Sequence, residues 1–189
     1  NFQAVTYKTD WVLYTNNAET DDYDQTQLGD PVGPGIGYWL RSFEVPINGL
    51  LTLTGTATPV ATGVTGCPSA AGCYVIPLTV AANRYHLIGN PLPYDLDWAQ
   101  ARLLVNDATA YSPSAAKAAQ YLDNTFWLWN STNSGYDSCN DVTPGMTCPV
   151  PLYKAFWIKV LPEGALDPMP ASLKLLIPAR STTIGQAAP

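Results

Sequence analysis

The chain has 189 residues, of which 13% are charged, and its formal net charge is −6. The charged share is about half of the roughly 25% that is usual in soluble domains, and Lys and Arg form no cluster, so nucleic acid is not an expected partner. No apolar run approaches the about 20 residues of a membrane-spanning helix, which argues against membrane insertion. Because the sequence opens at Asn1 with no leader peptide, we expect a processed chain or a piece of a longer precursor.

The first 80 residues favour strands that are joined by loops rich in Gly, Pro and Thr. Strand-favouring residues occur at 1–8, 11–14, 38–43, 50–56 and 74–80. Proline cannot donate a backbone hydrogen bond, so Pro77 predicts that the last of these runs is an edge or bulged strand.

The loop between the second and third of these runs is acidic. It contains Glu19, Asp21, Asp22 and Asp24. Carboxylate oxygens are ligands that Ca²⁺ prefers, so calcium is the metal that this loop would suit. The residues do not follow the order of a known calcium loop, and a solvated acidic loop is the simpler interpretation. No other cofactor is expected.

From Tyr85 onwards the chain shows a strand, a sharp turn and then alternating elements. The turn is Gly89-Asn90-Pro91, where Gly tolerates positive φ and the residue before Pro is driven out of the α region. Further strands are expected at 101–105, 126–130, 152–160 and 173–178, and one short helix near 113–122 that Ser112 can cap.

This order of elements is similar to a family of aromatic-rich β-modules in bacterial secreted and cell-surface proteins. In those modules a W-N-L-I-G-N-P strand precedes a D-W element, an aromatic strand, an F/Y-W-I/V-K strand and an L-x-L-x-I-P strand. Residues 83–178 match that order, with Tyr85 in place of Trp and His86 in place of Asn. The resemblance implies an extracellular β-module and implies no particular ligand.

Part of this pattern also occurs earlier in the chain, at residues 11–55, as an incomplete second copy. Trp11 resembles Trp127 at an offset of 116 residues, and Trp39 resembles Trp157 at an offset of 118. Leu51-Thr52-Leu53 likewise resembles Leu173-Lys174-Leu175. Chance similarity between aromatic strands is the alternative. We therefore predict an all-β fold, an antiparallel β-sandwich built from two related units: an incomplete unit at 1–80, a complete unit at 81–180 and a tail at 181–189.

The four cysteines form two closely spaced pairs. Four cysteines allow three connectivities, and the spacing favours Cys67–Cys73 and Cys139–Cys148 as disulfides that close surface loops in an oxidising compartment. A four-cysteine zinc site is the alternative, but its usual C-x₂₋₄-C spacing is shorter than either pair.

Residues suited to catalysis are few. His86 is the only histidine and lies in an apolar run, so a structural role is expected. Asp95 and Asp97 could imitate a carboxylate pair, but Asp97 is more readily explained as a hydrogen-bond acceptor in a turn. We expect the protein not to be an enzyme. Six tryptophans could stack on sugars, although strand alternation predicts that most lie in the core.

Two function classes fit the sequence. The first is a structural, cell-surface module that associates with copies of itself or with neighbouring modules by strand exchange, as a subunit of an extracellular filament. Its expected anchors are Phe2, Val5 and Tyr7, with Ile184 in the tail as a second candidate. The second class is a carbohydrate-binding or adhesive module of a larger secreted protein, with glycans as partners.

Overall fold

The computed structural model describes residues 11–27, 29–42, 60–81, 83–141, 148–161 and 170–180. In these ranges the fold is all-β with one short helix, as predicted. The expected strands at 1–8 and 50–56 and the tail at 181–189 lie outside the described residues.

Thirteen strands are present in the described ranges. They are β1 Trp11–Asn17, β2 Asp22–Gln25, β3 Tyr38–Ser42, β4 Cys73–Leu78, β5 Tyr85–Gly89, β6 Leu96–Asp97, β7 Arg102–Val105, β8 Thr109–Tyr111, β9 Thr125–Asn130, β10 Gly135–Asn140, β11 Pro149–Val150, β12 Ala155–Lys159 and β13 Leu173–Pro178. A short 3₁₀ turn covers Trp98–Gln100, and helix α1 covers Pro113–Ala118.

Two antiparallel four-stranded sheets form a sandwich from the second part of the chain. One sheet has the order β10-β9-β12-β5 and the other β4-β13-β7-β8. Alternate residues of a strand face opposite sides, so Phe126 and Phe156 point into the sandwich. Trp98 is fully buried against both, with ring centroids 5.7 and 5.9 Å away, and the two phenylalanine rings also contact each other at 5.7 Å. This aromatic cluster is the centre of the core.

The turn after β5 is organised by Asn90. Its Nδ2 donates to the backbone oxygens of Tyr94 and Val150, each at 3.0 Å, and its Oδ1 accepts from the Leu92 amide at 3.0 Å. Asp97 Oδ1 accepts from the Ala99 amide at 3.1 Å and caps the 3₁₀ turn. The expectation that Asp97 is a turn acceptor is therefore confirmed.

Helix α1 is shorter than predicted. It begins after Ser112, whose Oγ accepts from the Ala115 amide at 3.3 Å, and it ends at Ala118 instead of residue 122. Gln120 has φ of 61°, a left-handed conformation that stops the helix.

Strand β4 pairs within the sandwich, not with the strands of the unit predicted at 1–80. It pairs with β13 from Leu78↔Leu173 to Cys73↔Pro178. β13 is its only partner strand in the described ranges, so Pro77 lies in an edge strand, as its sequence predicts. The predicted boundary at residue 80 therefore separates β4 from its partner β13. The partner of a strand can be distant in sequence, and the residues of β4 alone do not identify it.

Both disulfides have the pairing that the spacing favours. Cys67 is joined to Cys73 at the start of β4, and Cys139 of β10 is joined to Cys148 just before β11. No cysteine is free. The two bonds indicate folding in an oxidising environment.

The first unit is a three-stranded sheet with the order β2-β1-β3, and it repeats β10-β9-β12. Asn17 Nδ2 donates to Asp24 at 3.0 Å, and Asn130 Nδ2 donates to Asp137 at 2.9 Å, 113 residues further on. The last residue of each hairpin loop has positive φ, 61° at Asp21 and 52° at Ser134. The two hairpins are therefore equivalent residue by residue.

This equivalence corrects the alignment of the tryptophans. With an offset of 113, the residue that corresponds to Trp127 is Tyr14 and not Trp11. Tyr14 pairs with Trp39, as Trp127 pairs with Trp157, so the register between strands is also kept. Matching one tryptophan to another displaced the predicted alignment by three residues.

The two units meet where the loop before β3 lies against β5. The Gly37 amide donates to Leu87 O at 2.9 Å, and the Gly89 amide donates to Gly35 O at 3.1 Å. A Cβ on Gly89 would be 2.6 Å from Ile36 O, so the backbones can approach this closely only because residue 89 is glycine.

Candidate functional site: an open strand edge and an aromatic cleft

The repeat reveals a position beside β3, here called the open position, that no strand in the described part of the chain occupies. In the second unit β12 lies between β9 and β5. The equivalent strand of the first unit, β3, pairs with β1 alone among the described strands. The place that corresponds to β5 is therefore not filled by any strand that the structure describes.

Exposure of Leu40 shows the consequence of this open position. Leu40 pairs with Leu13, and the same alignment makes it equivalent to Ile158 of β12. Ile158 is fully buried, whereas Leu40 is 50% exposed and Leu13 is only 5% exposed. Leu40 therefore has the position of a core residue on the inward face of β3, but half of its side chain is exposed.

The predicted anchors for strand exchange cannot be placed beside this edge. Phe2, Val5, Tyr7 and Ile184 lie outside the described residues. Their role stays a prediction.

A second feature, the aromatic cleft, lies where the outer face of the β10-β9-β12-β5 sheet meets the first unit. Its volume is about 410 Å³, within the roughly 300–1,000 Å³ of small-molecule sites. It is lined by Asn16, Asp21, Tyr23, Tyr85, Trp127, Tyr136 and Trp157.

Strand alternation explains the floor of the cleft. Phe126 and Phe156 point into the core, so the next residues, Trp127 and Trp157, point to the opposite face. These two tryptophans are directly paired across β9 and β12. Tyr85 pairs with Lys159 at the end of the neighbouring strand and continues the same face.

Tyr23 and Tyr136 form the two sides of the cleft. They are equivalent residues of the two hairpins and are each 48% exposed. The Tyr23 ring is edge-on to Trp157 at 6.3 Å. Partial burial and, to a smaller extent, the nearby Tyr136 raise the pKa of Tyr23, so its hydroxyl is neutral and can donate a hydrogen bond at physiological pH.

Three charged groups lie at or near the rim. Asp21 forms an ion pair with Arg84 at 3.6 Å. Lys159 Nζ lies 5.1 Å from the centroid of the Tyr85 ring. The carboxylate is therefore balanced by nearby cations, and Asn16 adds an amide that can donate and accept.

The prediction that most tryptophans lie in the core is wrong. Trp11 and Trp98 are buried, but Trp39, Trp127 and Trp157 are half-buried and Trp129 is 39% exposed. The alternation Phe126-Trp127-Leu128-Trp129 could have predicted this exposure. If Phe126 and Leu128 face the core, Trp127 and Trp129 must face the opposite side of the sheet. The sequence interpretation also missed Tyr23, Tyr85 and Tyr136 as partners of these tryptophans.

His86 has a structural environment. It is 8% exposed and faces Ile158 across the strand pair. Burial lowers its pKa from 6.5 to about 4, with a smaller opposite effect of a backbone hydrogen bond at Thr79. The imidazole is therefore neutral at pH 7. Asp95 Oδ1 accepts from the Leu152 amide at 3.0 Å and holds a loop.

The acidic side chains of the loop at 19–24 do not converge on one point in the structure. In the described part of the chain no group of three or more His, Cys, Asp or Glu side chains could hold a metal ion. Asp21 turns towards Arg84, Asp22 accepts from the Tyr23 amide at 2.7 Å, and Asp24 accepts from Asn17. With Glu19 these residues are all exposed, so the structure favours the interpretation of a solvated loop over that of a calcium site.

Comparison with protein-family models, with curated proteins and with solved structures finds no match. The resemblance to bacterial surface modules therefore stays a prediction. Within the described ranges no helix is long and apolar enough to cross a membrane.

Proposed function

We propose that this protein is an extracellular structural module that associates with copies of itself by strand exchange and acts as a subunit of a filament at the cell surface. Neighbouring modules of the same type are the other partners that this mechanism admits. In this proposal it is not an enzyme. The observation that carries the proposal is the open position beside β3, with Leu40 half exposed where its equivalent is buried.

An open strand edge is a template for main-chain pairing with another strand. A donated strand beside β3 would repeat the β12–β5 pairing and would cover Leu40. We assign the donor to residues 1–8 of a neighbouring copy, which are strand-favouring and carry Phe2, Val5 and Tyr7.

Head-to-tail donation leads to a filament. The donor segment and the acceptor edge are different parts of the chain, so each copy can accept one strand and donate another. Such a heterologous contact extends without limit unless a ring closes. Two disulfides support an extracellular location, since such bonds persist in oxidising compartments.

The decisive variant is Leu40→Asp, examined by sedimentation velocity. A carboxylate at the face that the donor would cover should prevent association and leave a monomer of 20.4 kDa. Thr109→Asp is the control, because Thr109 is exposed and lies in β8, which belongs to a different sheet from β3. It should associate like the unchanged chain.

A competition experiment tests the same mechanism without changing the fold. An excess of a peptide with the sequence of residues 1–8 should occupy the acceptor edge and shorten the assemblies, whereas a scrambled peptide should not. Strand exchange at β3 would be refuted if Leu40→Asp associated as strongly as the control. It would also be refuted if the peptide left the length of the assemblies unchanged.

A further inference from the structure

We propose that the aromatic cleft is a binding site for neutral carbohydrate. This inference goes beyond self-association and uses a different surface, at the junction of the two units. The juxtaposition that supports it is the floor of Trp127 and Trp157 beside Tyr85, enclosed by Tyr23 and Tyr136, with Asn16 and Asp21 at the rim.

The arrangement of the rings suits sugar rings. The face of an aromatic ring is electron-rich and attracts C–H groups, and one side of a pyranose ring presents a row of them. Edge-to-face contacts place the ring planes at steep angles: Tyr85 lies at 65° to Trp127 and at 87° to Trp157. A ligand in the cleft would therefore meet aromatic surface from more than one direction.

The exposure of the rings distinguishes the cleft from ordinary core packing. Trp98, Phe126 and Phe156 also make edge-to-face contacts, but they are at most 1% exposed. Tyr23 and Tyr136 are each 48% exposed in a cleft of about 410 Å³. Exposed apolar surface of this kind marks a site that a ligand covers.

The polar rim favours a neutral ligand with hydroxyl groups. Carboxylate and amide oxygens accept hydrogen bonds from hydroxyls, and the amide nitrogen of Asn16 and the neutral hydroxyl of Tyr23 can donate. A quaternary ammonium ion would also suit an aromatic cage. Arg84 already pairs with Asp21, and Lys159 already lies above the Tyr85 ring, so two of the groups that would hold such a cation are occupied. The charges near the cleft thus favour a sugar over a cation.

The probes are three neutral oligosaccharides, cellohexaose, maltohexaose and chitohexaose, with choline as the cationic comparison. Titration of the intact chain is followed by tryptophan fluorescence and by calorimetry. We expect saturable binding of at least one oligosaccharide and none of choline. Tyr136→Ala and Tyr23→Ala should each weaken it about tenfold, which corresponds to about 1.4 kcal/mol.

Two controls separate stacking from other effects. Tyr136→Phe keeps the ring and should keep most of the affinity, and Tyr153→Ala removes an exposed ring outside the cleft and should change nothing. Absence of saturable binding for all three sugars, preferential binding of choline, or equal affinity in the Tyr136→Ala and Tyr153→Ala variants would overturn the inference. Any of these results leaves strand exchange at β3 untouched.

Discussion

Replacing Asn90 by Ala tests how the turn after β5 stabilises the sandwich. The change removes the bonds that Nδ2 donates to Tyr94 O and Val150 O, a longer one of 3.3 Å that it donates to Pro151 O, and the one that Oδ1 accepts from the Leu92 amide. Each such bond contributes about 0.5–1.5 kcal/mol net, so the expected loss in free energy of unfolding is about 2–4 kcal/mol. For a chain of this size that corresponds to a fall in Tm of roughly 5–15 °C.

Asn90→Asp separates the contribution of the hydrogen bonds that Asn90 donates from that of the hydrogen bond that it accepts. The carboxylate has nearly the same shape and can still accept from the Leu92 amide, but it places negative charge against three carbonyl oxygens. We therefore expect Asn90→Asp to be at least as destabilising as Asn90→Ala at pH 7, although it is the more conservative change in volume.

Urea unfolding of the three chains provides the measurement, with Gln100→Ala as the control. Gln100 is an exposed amide near the same turn and should stay within about 0.5 kcal/mol of the unchanged chain. A loss below about 0.5 kcal/mol for Asn90→Ala, or Asn90→Asp more stable than Asn90→Ala, would show that these hydrogen bonds do not organise the turn.

Three further predictions concern the sandwich and the junction of the units. The pKa of His86 is lowered from 6.5 to about 4, so the unfolded chain takes up a proton first and stability falls as pH drops from 6.5 towards 4. The loss in free energy of unfolding reaches at most about 3 kcal/mol. Urea unfolding at pH 7 and at pH 4.5 should show that His86→Asn loses less stability between these two pH values than the unchanged chain does. Equal losses in the two chains would contradict this. Gly89→Ala brings a Cβ to 2.6 Å from Ile36 O and should cost about 1–3 kcal/mol in a thermal melt, so an unchanged Tm would show that the junction is not constrained there. Replacing Cys139 and Cys148 together by Ser should cost about 2–3 kcal/mol, as expected for a short loop, and non-reducing peptide mapping of the unchanged chain should find both local pairs and no crossed one.

Local chemistry in this sequence predicted local structure well. The spacing of the cysteines, the cap at Ser112 and the acceptor role of Asp97 each depend on a few neighbouring residues. Such features are fixed by backbone conformation and short-range hydrogen bonds, which the sequence shows directly. Gly89, in contrast, lies in β5 and does not have the positive φ that its turn motif suggested.

Features that depend on distant pairing were harder to predict. β4 was assigned to the wrong unit because nothing in its own residues identifies β13 as its partner. The register of the repeat was displaced because aromatic residues were matched, whereas the equivalent positions are marked by Asn17 with Asp24 and by Asn130 with Asp137. The cleft required both units to be placed together, so its tyrosines could not be recognised from one strand at a time.

Electron microscopy of the full chain beside a chain that lacks residues 1–8 tests strand exchange most directly. The proposal predicts filaments from the full chain and single folded particles from the shortened one, since the acceptor edge at β3 would then have no donor. A full chain that stays a monodisperse 20.4 kDa monomer, or a shortened chain that still forms the same filaments, would contradict it.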